Sequence, residues 1–157
     1  MPNFHRFTIK AQEALQKAQD LATSESHGEF RALHLLSALL MDQESLVRPI
    51  LTKLNVEVEG LKNDIENSLK QLPKIFSTAS VGQIYLSREI LKVIDSAAKS
   101  AIANKDDYIS CEHLLSGILD VESPAKDLLE GAGIKKDSAV KAMSKLRGSS
   151  KVTSESP

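Results

Sequence analysis

Two histidines open nearly identical heptapeptides, His34 in "HLLSALL" (34–40) and His113 in "HLLSGIL" (113–119). A histidine pair is the side-chain set most suited to ligating a metal or passing a proton near neutral pH. The second copy follows a run of groups with chemistry of their own: Asp106, Asp107, Cys111 and Glu112 in "DDYISCEH". Cys111 falls at the first position of the helix that His113 opens, where the helix dipole favours a thiolate. The carboxylate of Glu112 next to it opposes that. Glu112 itself meets the positive end of the dipole, a contact worth about 0.3–1 kcal/mol. With Ser110 as N-cap, His113 is the third helical residue, placed to bond back to the cap.

The elements that carry these residues are written twice. Sliding the chain by 79 positions sets residues 8–40 against 87–119 without a gap and gives seven identities in 33 positions. About two are expected from average composition. Thr8 and Ser87 are hydroxyl N-caps at matching places. After them, Ala11, Leu15, Ala18 and Ala22, and Ile90, Ile94, Ala97 and Ala101, each line one helical face. The late alanines predict close helix packing. Leu33, Leu36 and Leu40, widened by Leu35 and Leu39, predict a central, mostly buried helix. A third helix is expected from Ser45 and from Ser123–Pro124. These helices end at Asn55 and Gly133, each followed by an apolar residue as in a Schellman stop. A fourth carries Leu61, Ile65, Leu69 and Leu72 in one copy and Ala139, Val140, Met143 and Leu146 in the other. The repeat makes each histidine a local helix-start residue, not half of a shared site.

The expected fold is therefore all-α: about eight helices, as two pseudo-twofold four-helix repeats packed into one domain. The first repeat is assigned to 1–72 and the second to 87–147. A connector spans 73–86; Ile75, Phe76, Val81, Ile84 and Tyr85 give it something to pack with. Residues 148–157, "GSSKVTSESP", have no apolar periodicity and read as a flexible linker toward an absent module.

Composition narrows the function classes. The net charge is −1 with acids and bases interspersed, unlike a nucleic-acid binder. No apolar run approaches a membrane span, and the N-terminus lacks the apolar core of a signal peptide. The single cysteine rules out an internal disulfide and a cysteine zinc cluster, and fits a reducing compartment. No phosphate-cradling P-loop, His-Glu-x-x-His or nucleophile-elbow motif occurs.

The duplicated unit, with "FTIKAQEAL" (7–15), "HLLSALL", "YLSREI" (85–90), "YISCEHLL" (108–115) and "KLRG" (145–148), resembles the Clp N-terminal repeat found at the front of AAA+ unfoldases. "LKQLPK" (69–74) and "LRGSSKVTSESP" are most similar to the ClpB-type disaggregase branch. The resemblance implies a non-catalytic domain without cofactor of its own, ATP and magnesium being expected in the parent. It implies a cytoplasmic parent forming a hexameric ring, working with the DnaK chaperone system on unfolded or aggregated polypeptides. The isolated domain is expected to be a monomer, with no nucleic-acid or membrane partner. Adaptor- or substrate-binding domains of ClpC- or ClpA-type protease unfoldases are the alternative. An apolar groove between the repeats and a polar surface cluster are implicated in client contact in the family. Residue by residue the cluster falls on Thr8, on Asp106 or Asp107, and on Glu112. The first repeat has His27, Gly28 and Leu33 at the places of Asp106, Asp107 and Glu112, so the acidic cluster belongs to the second repeat alone. Ser96 and Ser100 make the groove more polar than such a role suggests.

Overall fold

The computed structural model describes residues 6–75, 84–148 and 152–153. It contains α1 (Ile9–Ser24), β1 (Glu29–Phe30), α2 (Ala32–Met41), α3 (Val47–Lys53), α4 (Val58–Lys70), β2 (Tyr85–Leu86), α5 (Arg88–Ala103), α6 (Cys111–Asp120), α7 (Pro124–Gly131) and α8 (Lys136–Arg147).

The internal repeat holds down to single hydrogen bonds. Thr8 Oγ1 accepts from Ala11 N and Ser87 Oγ accepts from Ile90 N, both at 3.1 Å. Both first helices stop alike: Ser26 and Lys105 take φ near +60°, and the next amides, His27 N–H and Asp106 N–H, donate to Ala22 O and Ala101 O at 2.9 Å. Asn55 and Gly133 take positive φ at the predicted third-helix stops. Val56 and Ile134 complete the Schellman bonds to Leu51 O and Leu129 O at 3.0 Å.

The helical hairpins α1–α2 and α5–α6 pack through the small faces the sequence marks: Ala11, Ala18 and Ala22, and Ala97 and Ala101, are buried. At Gly117 the approach of α5 is closest, because an added Cβ would lie 2.5 Å from the Val93 carbonyl oxygen. The central helices are buried almost throughout. From Ala32 to Leu40 only Ser37 is partly exposed, and every residue from Cys111 to Leu119 is buried.

Five details differ from the sequence reading, the first being that α4 ends at Lys70, so Leu72 lies beyond the helix assigned to it. Two short parallel strands interrupt the all-α pattern: Glu29 pairs with Tyr85 and Phe30 with Leu86, while Phe7 bridges Ile109. The segment before the first helix of each repeat thus pairs with the segment before the second helix of the other. The repeats are stitched by exchange, and two-residue strands are too short to leave a periodicity. The third helix of the first repeat starts at Val47, two residues after Ser45, whose hydroxyl accepts from Val47 N at 3.3 Å. In α8 the buried stripe is Ala139, Ala142 and Met143, and Val140 and Leu146 are exposed. In the connector Ile75 and Ile84 are half-buried but Tyr85 is exposed; Phe76 and Val81 lie outside the described residues.

Candidate functional site, a cleft where the two repeats meet

Each histidine does the same local work. Arg31 N–H donates to His34 Nδ1, and Ser110 N–H to His113 Nδ1, both at 2.9 Å. These bonds make Nδ1 the acceptor and leave the proton on Nε2. The Nε2–H groups then meet different partners. His34 reaches His27 Nδ1 at 2.9 Å, and His113 reaches Asp106 Oδ2 at 2.8 Å. His27 Nε2 has no hydrogen-bond partner among the described residues. No group of three or more His, Cys, Asp or Glu among those residues is placed to hold a metal.

Burial lowers the pKa of His27, and burial beside His27 pushes that of His34 down to about 4. An unfolded histidine titrates near 6.5. Below that pH the unfolded chain takes up protons that the folded pair refuses. The contribution of the pair to stability is therefore constant above the unfolded value and falls as pH drops from about 6.5 toward 4. Urea midpoints should decrease between pH 7 and pH 5; equal midpoints would contradict the neutral buried pair.

Asp106 is buried at the centre of the second repeat's network. It accepts from Arg147 through both oxygens (2.7 and 3.1 Å), from His113, and from Val152 N–H at 2.9 Å. Burial alone would raise its pKa. The Arg147, Val152 and His113 hydrogen bonds outweigh that and hold it below the usual carboxylate value. Asp107 is exposed next door, and its amide donates to Val152 O at 2.7 Å. Cys111 is buried, and burial with the neighbouring Glu112 pushes its thiol up to about 12. A thiol so placed is a plain small buried residue, the reading that the adjacent Glu112 favours over a dipole-activated thiolate.

Two clefts related by the repeat lie where one repeat's first helix meets the other's second. One is lined by Thr8, Lys10, Glu44, Ser110 and Glu112. The other has the equivalents Ser87, Glu89, Glu122 and Arg31. Their chemistry differs. In the Ser87 cleft, Glu89 reaches across and takes the first free amide of α2, Ala32 N–H, at 3.1 Å. At the Thr8 cleft that position is Lys10, which turns to Glu44 at 2.8 Å. The remaining Ser87-cleft lining is strongly charged, with Glu29, Arg88 and Lys92. The Thr8 cleft, about 330 Å³, adds Leu46, Leu146, Val152 and Arg147 instead.

Glu112 is 5% exposed on the wall of this cleft, and burial raises its pKa against the pull of Arg147. Its counterpart Leu33 is part of the core. Of the four candidate residues, Thr8 and Glu112 are brought together as lining, Asp106 is buried against the lining residues Arg147 and Val152, and Asp107 is exposed with its amide on Val152 O. Five lining residues, Lys10, Glu44, Leu46, Arg147 and Val152, were not singled out from the sequence. Arg147 lies inside the quoted "KLRG", and Val152 is the one apolar residue of "GSSKVTSESP". Val152 is 4% exposed, so this part of the stretch read as linker is anchored. A separate groove between α5 and α8, about 490 Å³, lies within the second repeat and is lined mostly by polar and charged residues, Ser96 and Ser100 among them. Ser96 Oγ donates to Asp120, which also pairs with Lys136 at 2.7 Å.

Among the described residues the imidazoles of His34 and His113, the Asp106 carboxylate and the Cys111 thiol are all buried in the packing of a duplicated helical unit. A sequence model of the Clp repeat (R) N-terminal domain matches residues 6–132, and the chain belongs to that family, whose members are non-catalytic substrate-binding modules. It is 36% identical over 156 residues to the chaperone protein ClpB of Bacillus cereus, covering 99% of this chain and 18% of that protein. The ClpB of Mycobacterium leprae is 37% identical over 150 residues, with 96% and 18% covered. The chain thus spans under a fifth of these curated relatives. Among solved structures, the Hsp104 N-terminal domain from Candida albicans superposes with TM-score 0.83 at 24% identity, covering 95% of this chain and 96% of that one. The ClpV N-domain in complex with a VipB peptide gives 0.72 at 18% identity, covering 90% and 86%. Among the described residues no helix is long and apolar enough to cross a membrane.

Proposed function

We propose that this chain is the substrate-recruiting N-terminal domain of a ClpB-type, ATP-dependent disaggregase. In this reading it captures unfolded or aggregated polypeptides and passes them to the pore of a hexameric cytoplasmic ring that uses ATP and magnesium and works with the DnaK system. Similarity to ClpB proteins over nearly the whole of this chain, though over only 18% of theirs, supports the ClpB-type parent over a ClpC- or ClpA-type one. A peptide-bound relative of the same fold, the ClpV N-domain, supports peptide capture.

The observation that carries the location is Glu112. A carboxylate kept buried, with its pKa raised, costs the fold stability wherever it is ionised. Such groups gather at functional sites. We assign client contact to Thr8 and Glu112 in the cleft and to the adjoining loop of buried Asp106 and exposed Asp107. Glu112→Gln removes the charge and keeps the shape. It is expected to raise the melting temperature and to weaken binding of a reduced, carboxymethylated unfolded protein, measured by fluorescence anisotropy. Unchanged binding together with raised stability would make Glu112 a structural acid and remove the site from this cleft.

A further inference from the structure

Val152 is held as a bound peptide would be. Its N–H donates to Asp106 Oδ1 at 2.9 Å. Its carbonyl accepts from Asp107 N at 2.7 Å and Tyr108 N at 3.2 Å. Its side chain is buried on the wall of the Thr8–Glu112 cleft. Main-chain bonds of this kind read an extended backbone and no sequence; the cleft reads only the size and apolarity of one side chain. Any unfolded chain can supply the same three bonds and a similar residue. Asp106 keeps its full set of partners when a foreign N–H replaces that of Val152, so exchange leaves no buried carboxylate lone pair unmatched.

We infer that Val152 is a displaceable occupant of a peptide site: its backbone holds the Asp106, Asp107 and Tyr108 groups at the wall of the cleft, and an extended unfolded segment bearing a valine-sized apolar side chain replaces it. This inference rests on the proposed client-binding role and specifies its mode. Val152 lies five residues beyond Arg147, the last residue of α8. A tether that short gives an effective concentration on the order of millimolar, so only segments that exceed the weak hold of one residue engage. A tail bound about nine-tenths of the time lowers the apparent client affinity about tenfold.

Two readouts test this. In the unaltered chain, amide hydrogen exchange is followed while reduced, carboxymethylated α-lactalbumin is added to saturation. The Val152 amide should lose protection while those of Asp107 and Tyr108 keep theirs, because the client takes over the same bonds. Separately, Val152→Asp sets a carboxylate beside Asp106 and Glu112 and should expel the segment, raising affinity for the unfolded probe about tenfold. If the client binds with Val152 protection unchanged, or if folded V152D binds no tighter, the segment is a fixed part of the fold and the inference is overturned. Should V152D fail to fold, the exchange experiment decides alone. Binding by neither chain would instead overturn the client-binding role beneath it.

Discussion

Asp106→Ala should destabilise the chain by about 3–5 kcal/mol, the cost of leaving one partner of a buried ion pair without the other. The Asp106 side chain is fully buried and that of Arg147 is 11% exposed. The carboxylate also satisfies His113 Nε2–H and Val152 N–H. Alanine removes the acceptor from all of them at once. Replacing Arg147 by methionine in the same chain should recover part of the loss, since a neutral pair of similar volume leaves no buried charge. Asp107→Ala, at an exposed neighbouring position, should change stability by no more than about 0.5 kcal/mol. Urea denaturation of the four chains is the measurement. A loss of about 1 kcal/mol or less for Asp106→Ala would mean that the network does not hold the second repeat together. The outcome also bears on function: weaker client binding in Asp106→Ala must first be corrected for fold loss, whereas Glu112→Gln carries no such penalty.

Gly117→Ala carries the second large effect, and it runs against the repeat. The first copy has Ala38 at this place, and alanine is the better helix former. Propensity alone predicts stabilisation. The structure predicts the opposite, because the new methyl would meet the Val93 carbonyl oxygen at 2.5 Å and Val93 Cγ1 at 3.2 Å. The backbone of α5 must move, and overpacking of this kind costs about 1–3 kcal/mol. Ala38→Gly should cost about 0.5–1 kcal/mol through helix entropy alone. Thermal melts compare the two; a Gly117→Ala chain as stable as its parent would show that α5 and α6 can separate freely.

The duplicated architecture was legible in the sequence wherever a local rule wrote it. Hydroxyl caps at Thr8 and Ser87, the stops at Asn55 and Gly133, and the alanine faces are all one-turn signals. The histidines read correctly as helix-start residues because Nδ1 closes a three-residue loop. What escaped is long-range. Arg147 and Asp106 are 41 residues apart, and nothing in either neighbourhood names the other. The exchanged strands are two residues long. Val152 sits in a polar, aperiodic stretch where one apolar residue is no pattern. The candidate residues came from resemblance, and their sorting into lining, buried support and exposed neighbour needed coordinates: Asp106 and Asp107 are adjacent in sequence, yet one is buried and one exposed.

The central claim is that two repeat-related clefts have diverged, and that only the Thr8–Glu112 cleft takes unfolded chain. Heteronuclear chemical-shift mapping during titration with an unfolded protein tests it directly. Shifts concentrated at Thr8, Asp107, Tyr108, Glu112 and Val152, with Ser87, Glu89 and Arg31 undisturbed, are the predicted result. Equal shifts in both clefts, shifts confined to the α5–α8 groove, or none at saturation would contradict it.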